Sequence, residues 1–333
     1  MPGDWLSHHG KRHRDKRSDM FPTHDNRWGL WGNEDRRKTE PSTLLVYFRL
    51  VLGDGRSAIL AYYPAELRDA CDRFVVTTKL LHDTRVRVPA ILGASCKEGF
   101  MLLEDLGKST LYDRRDDGWA SLSPYFEESI AVWQHIRSLP LESIRDLNPA
   151  LDRDLLLAEL QQTWEIYLTP RQLTGDSSLS RALWQALAEV CEQLSKEPQV
   201  VCHRDFMARN LVPLAGAGRL GVLDHQDLRQ GPSFYDLASL LNDSLFPPPE
   251  LESALLARCI SNDSEMLSYH RAALQRTVKV VGTFEAFAKR GNPRRLRLIP
   301  PTLSKALYHL ERVPEGQGLA PSLHELWRPV LAT

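Results

Sequence analysis

The chain has 333 residues, 42% of them hydrophobic and 26% charged, with 42 Lys and Arg set against 43 Asp and Glu. A formal net charge of −1 gives no overall field that would draw nucleic acid or an anionic membrane. The length suffices for one large or two modest domains around a substantial core.

Residues 1–38 are dense in Arg, Lys, His and Asp and read as a polar, loosely attached tail. They contain no apolar run of a secretory signal, and no later run reaches the length of a membrane span. His8, His9 and His13 are a conceivable metal site, but their spacing is that of ordinary surface histidines. From 43 to 63, "TLLVYFRLVL" and "SAILAYYP" are β-branched and aromatic runs flanking "GDGR", the pattern of an antiparallel hairpin. "PAELRDACDRFVVTTKLLHDT" follows with Leu67, Ala70, Phe74, Val75, Leu80 and Leu81 at helical spacing. A second strand pair, "RVRVPAILGAS" and "GFMLLEDLG", runs out at Glu104-Asp105. Beyond residue 107 the apolar positions recur at helical spacing in "SPYFEESIAVWQHIRSL", "LDRDLLLAELQQTWEIYL" and "SLSRALWQALAEVCEQLSKE". Two short β-rich pieces, "QVVCH" and "RLGVLDH", interrupt this pattern, and helices resume from "PSFYDLASLLND" to about 312. The expected architecture is α+β: a small antiparallel-sheet lobe over 39–106, then a larger, mostly helical lobe over 107–333. Five scattered cysteines (Cys71, Cys96, Cys191, Cys202, Cys259) form no CxxC pair. That speaks against a disulfide framework or zinc cluster and for a reducing, cytoplasmic setting.

The chemistry is concentrated in "VCHRDFMARNLVPL". Charged and amide side chains inside an apolar run are costly unless paired or bound to a metal. His203, Arg204 and Asp205 are followed at a four-residue interval by Asn210, and fourteen residues later by Asp224 at the end of "LGVLD". This spacing is used by phosphotransferases of the protein-kinase-like type. Asp205 would accept the proton of an acceptor hydroxyl. Asn210 and Asp224 would hold Mg²⁺ against the phosphates of ATP, the neutral amide oxygen ligating a hard cation without adding repulsion.

Downstream, "DHQDLRQGPSFYDLASLL" lacks the D-F-G and A-P-E of protein kinases and resembles the aminoglycoside phosphotransferase and choline kinase superfamily. "HRDFMARNLV", "QRTVKVVGTFEAFAKRG", "LIPPTLSKALYHL", "VRVPAIL" and "GFMLLEDLG" look more narrowly like the anomeric kinases of N-acetylmuramate and N-acetylglucosamine in bacterial cell-wall recycling. The resemblance covers about 42–312 and implies a protein-kinase-like two-lobed fold, ATP and Mg²⁺ as cofactors, and an amino-sugar substrate phosphorylated at its anomeric hydroxyl. It further implies that Leu103, Glu104 and Asp105 form the interlobe hinge facing adenine. Ser42 and Thr43 would lie over the phosphates, and His203 and Asp236 would be structural, with Asp236 bracing the catalytic loop. Asp227 would bond a sugar hydroxyl or else sit in a surface loop. Arg209 and Lys279 would meet phosphate or a lactyl carboxylate, although Lys279 also reads as part of a solvated helix face.

Two departures stand out. "KTEPSTLLVYFRL" has no glycine where a phosphate loop wants one, and "SAILAYYP" lacks the strand lysine of kinases. Arg49 or Lys79 would have to replace that lysine, and Glu66 is either its former helix partner or a solvated acid. Two other readings stay open: a kinase for an aminoglycoside or choline-type hydroxyl, and a decayed kinase fold that only binds. The sequence leaves the oligomeric state open.

Overall fold

The computed structural model describes residues 45–53, 55–216 and 219–332. The polar tail with its histidines, Ser42 and Thr43 lie outside the described residues. Strands β1 (Val46–Val51) and β2 (Ser57–Tyr62) form the expected hairpin, with Phe48 opposite Leu60. Helix α1 (Arg68–Asp83) follows a short 3₁₀ turn, and β3 (Ile91–Ser95) and β4 (Phe100–Glu104) complete an antiparallel sheet of order β1-β2-β4-β3. Alternation along β2 turns Ile59 and Ala61 inward, where they meet Phe74 of α1, Met101 and Leu103 in a core of their own.

The large lobe comprises α2 (Trp119–Arg137), α3 (Arg153–Thr163) and α4 (Ser177–Lys196), then β5 (Gln199–Cys202), β6 (Leu211–Pro213), β7 (Leu220–Val222) and β8 (Arg229–Pro232). It closes with α5 (Tyr235–Asn242), α6 (Pro249–Ala257), α7 (Asp263–Lys289), α8 (Ile299–Leu310) and α9 (Ala320–Leu331). Asp152, Asp176 and Asn262 cap α3, α4 and α7 by accepting first-turn amides, which fixes where each helix begins. The two-lobed α+β fold expected from the sequence is the one observed.

One pairing was left open by the sequence, and two details differ from expectation. The two β-rich pieces around the catalytic loop do not pair with each other: β5 pairs with β8, and β6 with β7. Strands of three and four residues are too short to show a period, so their partners were not readable. Cys71 and Cys96 form a disulfide, with Cα atoms 5.4 Å apart. Their 25-residue separation hides the fact that the β3–β4 turn folds back onto the first turn of α1. The lobes also do not divide cleanly at 106. Leu81, Val86 and Val88 join the large-lobe core, and the Val222 amide donates to the Arg87 carbonyl at 2.7 Å.

Candidate active site

The β6–β7 hairpin brings the motif residues together. Leu211 stands opposite Val222, and the Leu223 amide donates to the Asn210 carbonyl at 2.8 Å, so Asn210 and Asp224 emerge side by side. Asn210 Nδ2 donates to the Asp205 carbonyl at 2.8 Å and lies 3.4 Å from Asp224 Oδ2. The catalytic loop is anchored from below by Asp236 at the start of α5, whose carboxylate accepts the His203 amide at 2.5 Å and the Arg204 amide at 2.9 Å. Burial pushes the Asp236 carboxyl up to about 7 against the pull of those two amides. His203 is fully buried, its Nε2 2.9 Å from the Leu223 carbonyl. Both Arg204 (φ 76°) and Asp224 (φ 62°) occupy the left-handed region, which for Arg costs about 1–3 kcal/mol unless the surroundings hold it. Arg204 is held at both ends. Its amide is on Asp236, and its guanidinium bridges Glu159 and Asp227 at 3.0 Å each.

Charge is concentrated around Asp205. Arg276, fully buried on α7, reaches its Oδ1 at 2.9 Å, and Lys279 Nζ stands 3.9 Å from the same oxygen. Burial opposes ionisation of Asp205, but Lys279, Arg276 and Arg204 outweigh it and hold the carboxyl far below its usual range. Asp224 is pushed the other way, by burial and by the neighbouring charges of Asp205 and Asp227. Asn210 Oδ1 is buried without a partner. An orphaned amide oxygen beside a carboxylate with no cation of its own is a donor pair suited to a hard divalent ion, which completes its shell with phosphate and water oxygens. Among the described residues no trio of His, Cys, Asp and Glu is gathered for a metal, so protein donors alone would leave such an ion open to its substrate.

Above Asp224 lies a largely apolar cleft lined by Tyr47, Ile59, Phe74 and Leu103 from the small lobe and Leu223 from the large one. Of the hinge residues, Leu103 lines this cleft with its side chain. The Glu104 amide is already donated to the Ala90 carbonyl at 2.8 Å, so it is not offered to a ligand. Asp105 is taken by Arg49, at 2.7 and 3.0 Å. Arg49 therefore does not replace the strand lysine, and Lys79 and Glu66 are exposed. In place of a charged brace, α1 meets the loop after β7 through a neutral one. His225 Nδ1 lies 2.8 Å from Thr77 Oγ1, and its ring packs 4.2 Å from Phe74.

Two expectations about cations are corrected. Arg209 is buried, its guanidinium 4.0 Å over the Tyr112 ring and 2.6 Å from Ser244 Oγ, so it is committed inside the large lobe rather than presented to a ligand. Lys279 is not on a solvated face; its side chain is 12% exposed and points toward Asp205. Arg276 and Glu159 were missed by sequence reasoning. The signal was present in "AALQRTVKVV", where Gln275, Arg276 and Lys279 interrupt an otherwise apolar helix. Asp227 keeps 32% of its side chain exposed beside Arg204.

No described helix is long and apolar enough to cross a membrane. The chain is 29% identical over 325 residues, 93% of each chain, to a Pseudomonas putida protein named N-acetylmuramate/N-acetylglucosamine kinase. It is 31% identical over 272 residues to a Pseudomonas aeruginosa protein of the same name, covering 76% of this chain and 77% of the relative. Among solved structures, choline kinase LicA from Streptococcus pneumoniae superposes with a TM-score of 0.55 at 14% identity, covering 79% of this chain and 89% of its own. The GDP complex of aminoglycoside 2'-phosphotransferase-IIIa gives 0.57 at 15% identity, with 81% and 90% covered. Likenesses at such identities speak for the fold alone. Residues 45–274 match the phosphotransferase enzyme family, well over half of the sequence, and the chain belongs to that family.

Proposed function

We propose that the protein is an ATP- and Mg²⁺-dependent kinase that phosphorylates the anomeric hydroxyl of N-acetylmuramate or N-acetylglucosamine, giving the sugar 1-phosphate. The observation that carries the reading is the convergence of Asp205, Asn210 and Asp224 beneath an apolar interlobe cleft, with Asn210 Oδ1 left unpartnered. Asn210 Oδ1 and the Asp224 carboxylate would hold Mg²⁺, which when bound offsets phosphate charge. Asp205 would accept a hydrogen bond from the acceptor hydroxyl and aim its oxygen at the γ-phosphorus. Asp227 would bond a further sugar hydroxyl with Oδ1, which Arg204 leaves unbonded and Arg229 approaches to 3.7 Å.

An anomeric hydroxyl is in keeping with the cations around Asp205, Arg276 at 2.9 Å and Lys279 at 3.9 Å. Three cations make it a weak base, so it orients a hydroxyl better than it strips one. An anomeric hydroxyl is more acidic than an ordinary sugar alcohol and needs less stripping. The names of the Pseudomonas relatives support the amino-sugar acceptor. A cytoplasmic location suits the same reading because ATP is available there, whereas the Cys71–Cys96 bridge removes the support that the scattered cysteines gave it.

Transfer of label from γ-labelled ATP to N-acetylmuramate, with N-acetylglucosamine, glucose, choline and kanamycin as comparators, tests the assignment. Preference for kanamycin or choline would overturn the sugar. Absence of transfer, with no thermal shift on adding ATP and Mg²⁺, would make the chain a binding fold only, since a ligand at 100 times its Kd stabilises by about 2.7 kcal/mol.

A further inference from the structure

We infer that Lys279 is a catalytic residue, whose ammonium reaches an oxygen of the phosphoryl group in flight and supplies from the large lobe the cation that the small-lobe strand lacks. The inference rests on the phosphotransfer reading above and adds a named group to it.

The direct hydrogen bonds around Asp205 are made without Lys279. Arg276 already bonds Asp205 at 2.9 Å, and Arg204 already bonds Glu159 and Asp227 at 3.0 Å. Lys279 stands behind these pairs, 3.7 Å from Glu159 Oε1 and 3.9 Å from Asp205 Oδ1, and its ammonium makes no hydrogen bond among the described residues. The ammonium is paired at ion-pair distance only, and its N–H donors are free to turn to a ligand oxygen that displaces solvent there. Arg276 Nε and Nη1 are buried without a hydrogen-bond partner among the described residues, beside the Nη2 that bonds Asp205.

The backbone that carries Lys279 is held against α3. The Thr163 hydroxyl donates to the Lys279 carbonyl at 3.2 Å, and Gly282, one turn on, lies so close to Thr163 that any Cβ would overlap it. Among the described residues, the inward face of β2 and the two cations weighed for this role offer no rival. The inward residues of β2 are Ile59 and Ala61, Arg49 is spent on Asp105, and Lys79 faces solvent. Phosphoryl transfer spreads charge over the equatorial oxygens, and a fixed cation there lowers the barrier most when water is excluded. In the step itself the acceptor oxygen bonds to the γ-phosphorus as the bond from that phosphorus to the β–γ bridging oxygen breaks. The electron pair stays on ADP, and the hydroxyl proton leaves past Asp205 to solvent.

The test uses K279M and K279R in the full chain. Four quantities are read: sugar phosphorylation, ATP hydrolysis without sugar, Kd for MgADP, and the tightening of MgADP by aluminium fluoride, a mimic of the transferring group. K279M should lower both rates by about 10²–10³, in line with removal of one transition-state donor. MgADP affinity and acceptor KM should stay within about 3-fold, and the aluminium-fluoride tightening should vanish. K279R should recover part of the loss. K279Q keeps a polar head beside Glu159 and should show the same losses should methionine fail to fold there. Unchanged rates in K279M, or a raised acceptor KM with kcat intact, would overturn the inference. Wild-type protein that hydrolyses ATP in a Lys279-dependent manner yet phosphorylates no amino sugar would remove the acceptor assignment and leave the lysine in place.

Discussion

Replacing Gly282 by alanine sets two effects of known size against each other. Alanine is the better helix former by about 1 kcal/mol, which taken alone would stabilise α7. Against it, the new methyl would overlap Thr163 Oγ1 and come within 2.7 Å of its Cα and 2.9 Å of its Cβ. Overpacking of this kind costs about 1–3 kcal/mol, and no rotamer change moves a Cα out of the way. The Thr163 bond to the Lys279 carbonyl goes with it, for about 1 kcal/mol more. The steric side wins, with a net loss of about 1–3 kcal/mol. Urea unfolding should show a lower midpoint with m unchanged. Because α7 must retreat from α3 and carries Arg276 and Lys279 with it, kcat should fall by up to about 10²-fold. Adding Thr163→Ala relieves only the Oγ1 overlap and should recover less than half of the stability. A G282A protein with an undiminished midpoint and full turnover would refute the claim that this contact sets the position of the two cations.

Asp205→Asn should lower turnover by about 10²–10⁴ while MgATP still binds, as read by initial rates and calorimetry. The same variant tests linkage. The Asp205 carboxyl is depressed in the folded state, so its ionised form favours folding. The stability gap between wild type and D205N should be full above pH 5 and begin to narrow as pH falls through about 4, remaining open at pH 3 because the folded-state carboxyl titrates well below that, in urea midpoints taken from about pH 7 to 3. Asn210→Ala should raise the Mg²⁺ needed for half-maximal rate at least about ten-fold, measured by metal titration at saturating ATP. Reducing the Cys71–Cys96 bridge should destabilise the small lobe by up to about 3–4 kcal/mol for a loop of this length. A thermal scan with and without dithiothreitol reads this as a lower melting temperature, and C71S should show the lower value in both.

The motif residues were legible because phosphoryl transfer needs few residue types at a strict spacing, and the β6–β7 hairpin converts that spacing into contact. The sheet lobe was legible because two β-branched and aromatic runs, β1 and β2, flank a turn written in glycines. What stayed hidden came from places where distance along the chain says nothing about distance in space. Glu159 and Arg276 meet the catalytic loop from helices far from it in sequence, and Cys71 and Cys96 are joined by a fold-back that no local pattern announces. Lys279 illustrates the opposite failure. On an amphipathic helix a lysine defaults to solvent, and only the packing of α7 against α3 reverses that default.

The bond from the Val222 amide to the Arg87 carbonyl, with Val86 and Val88 sunk beside it, fastens the small lobe to the large one at a second place besides the covalent crossover near Gly107. His225 on Thr77 of α1 adds a further tie. The width of the nucleotide cleft is thereby set by several independent fastenings and not by the pliancy of the crossover alone.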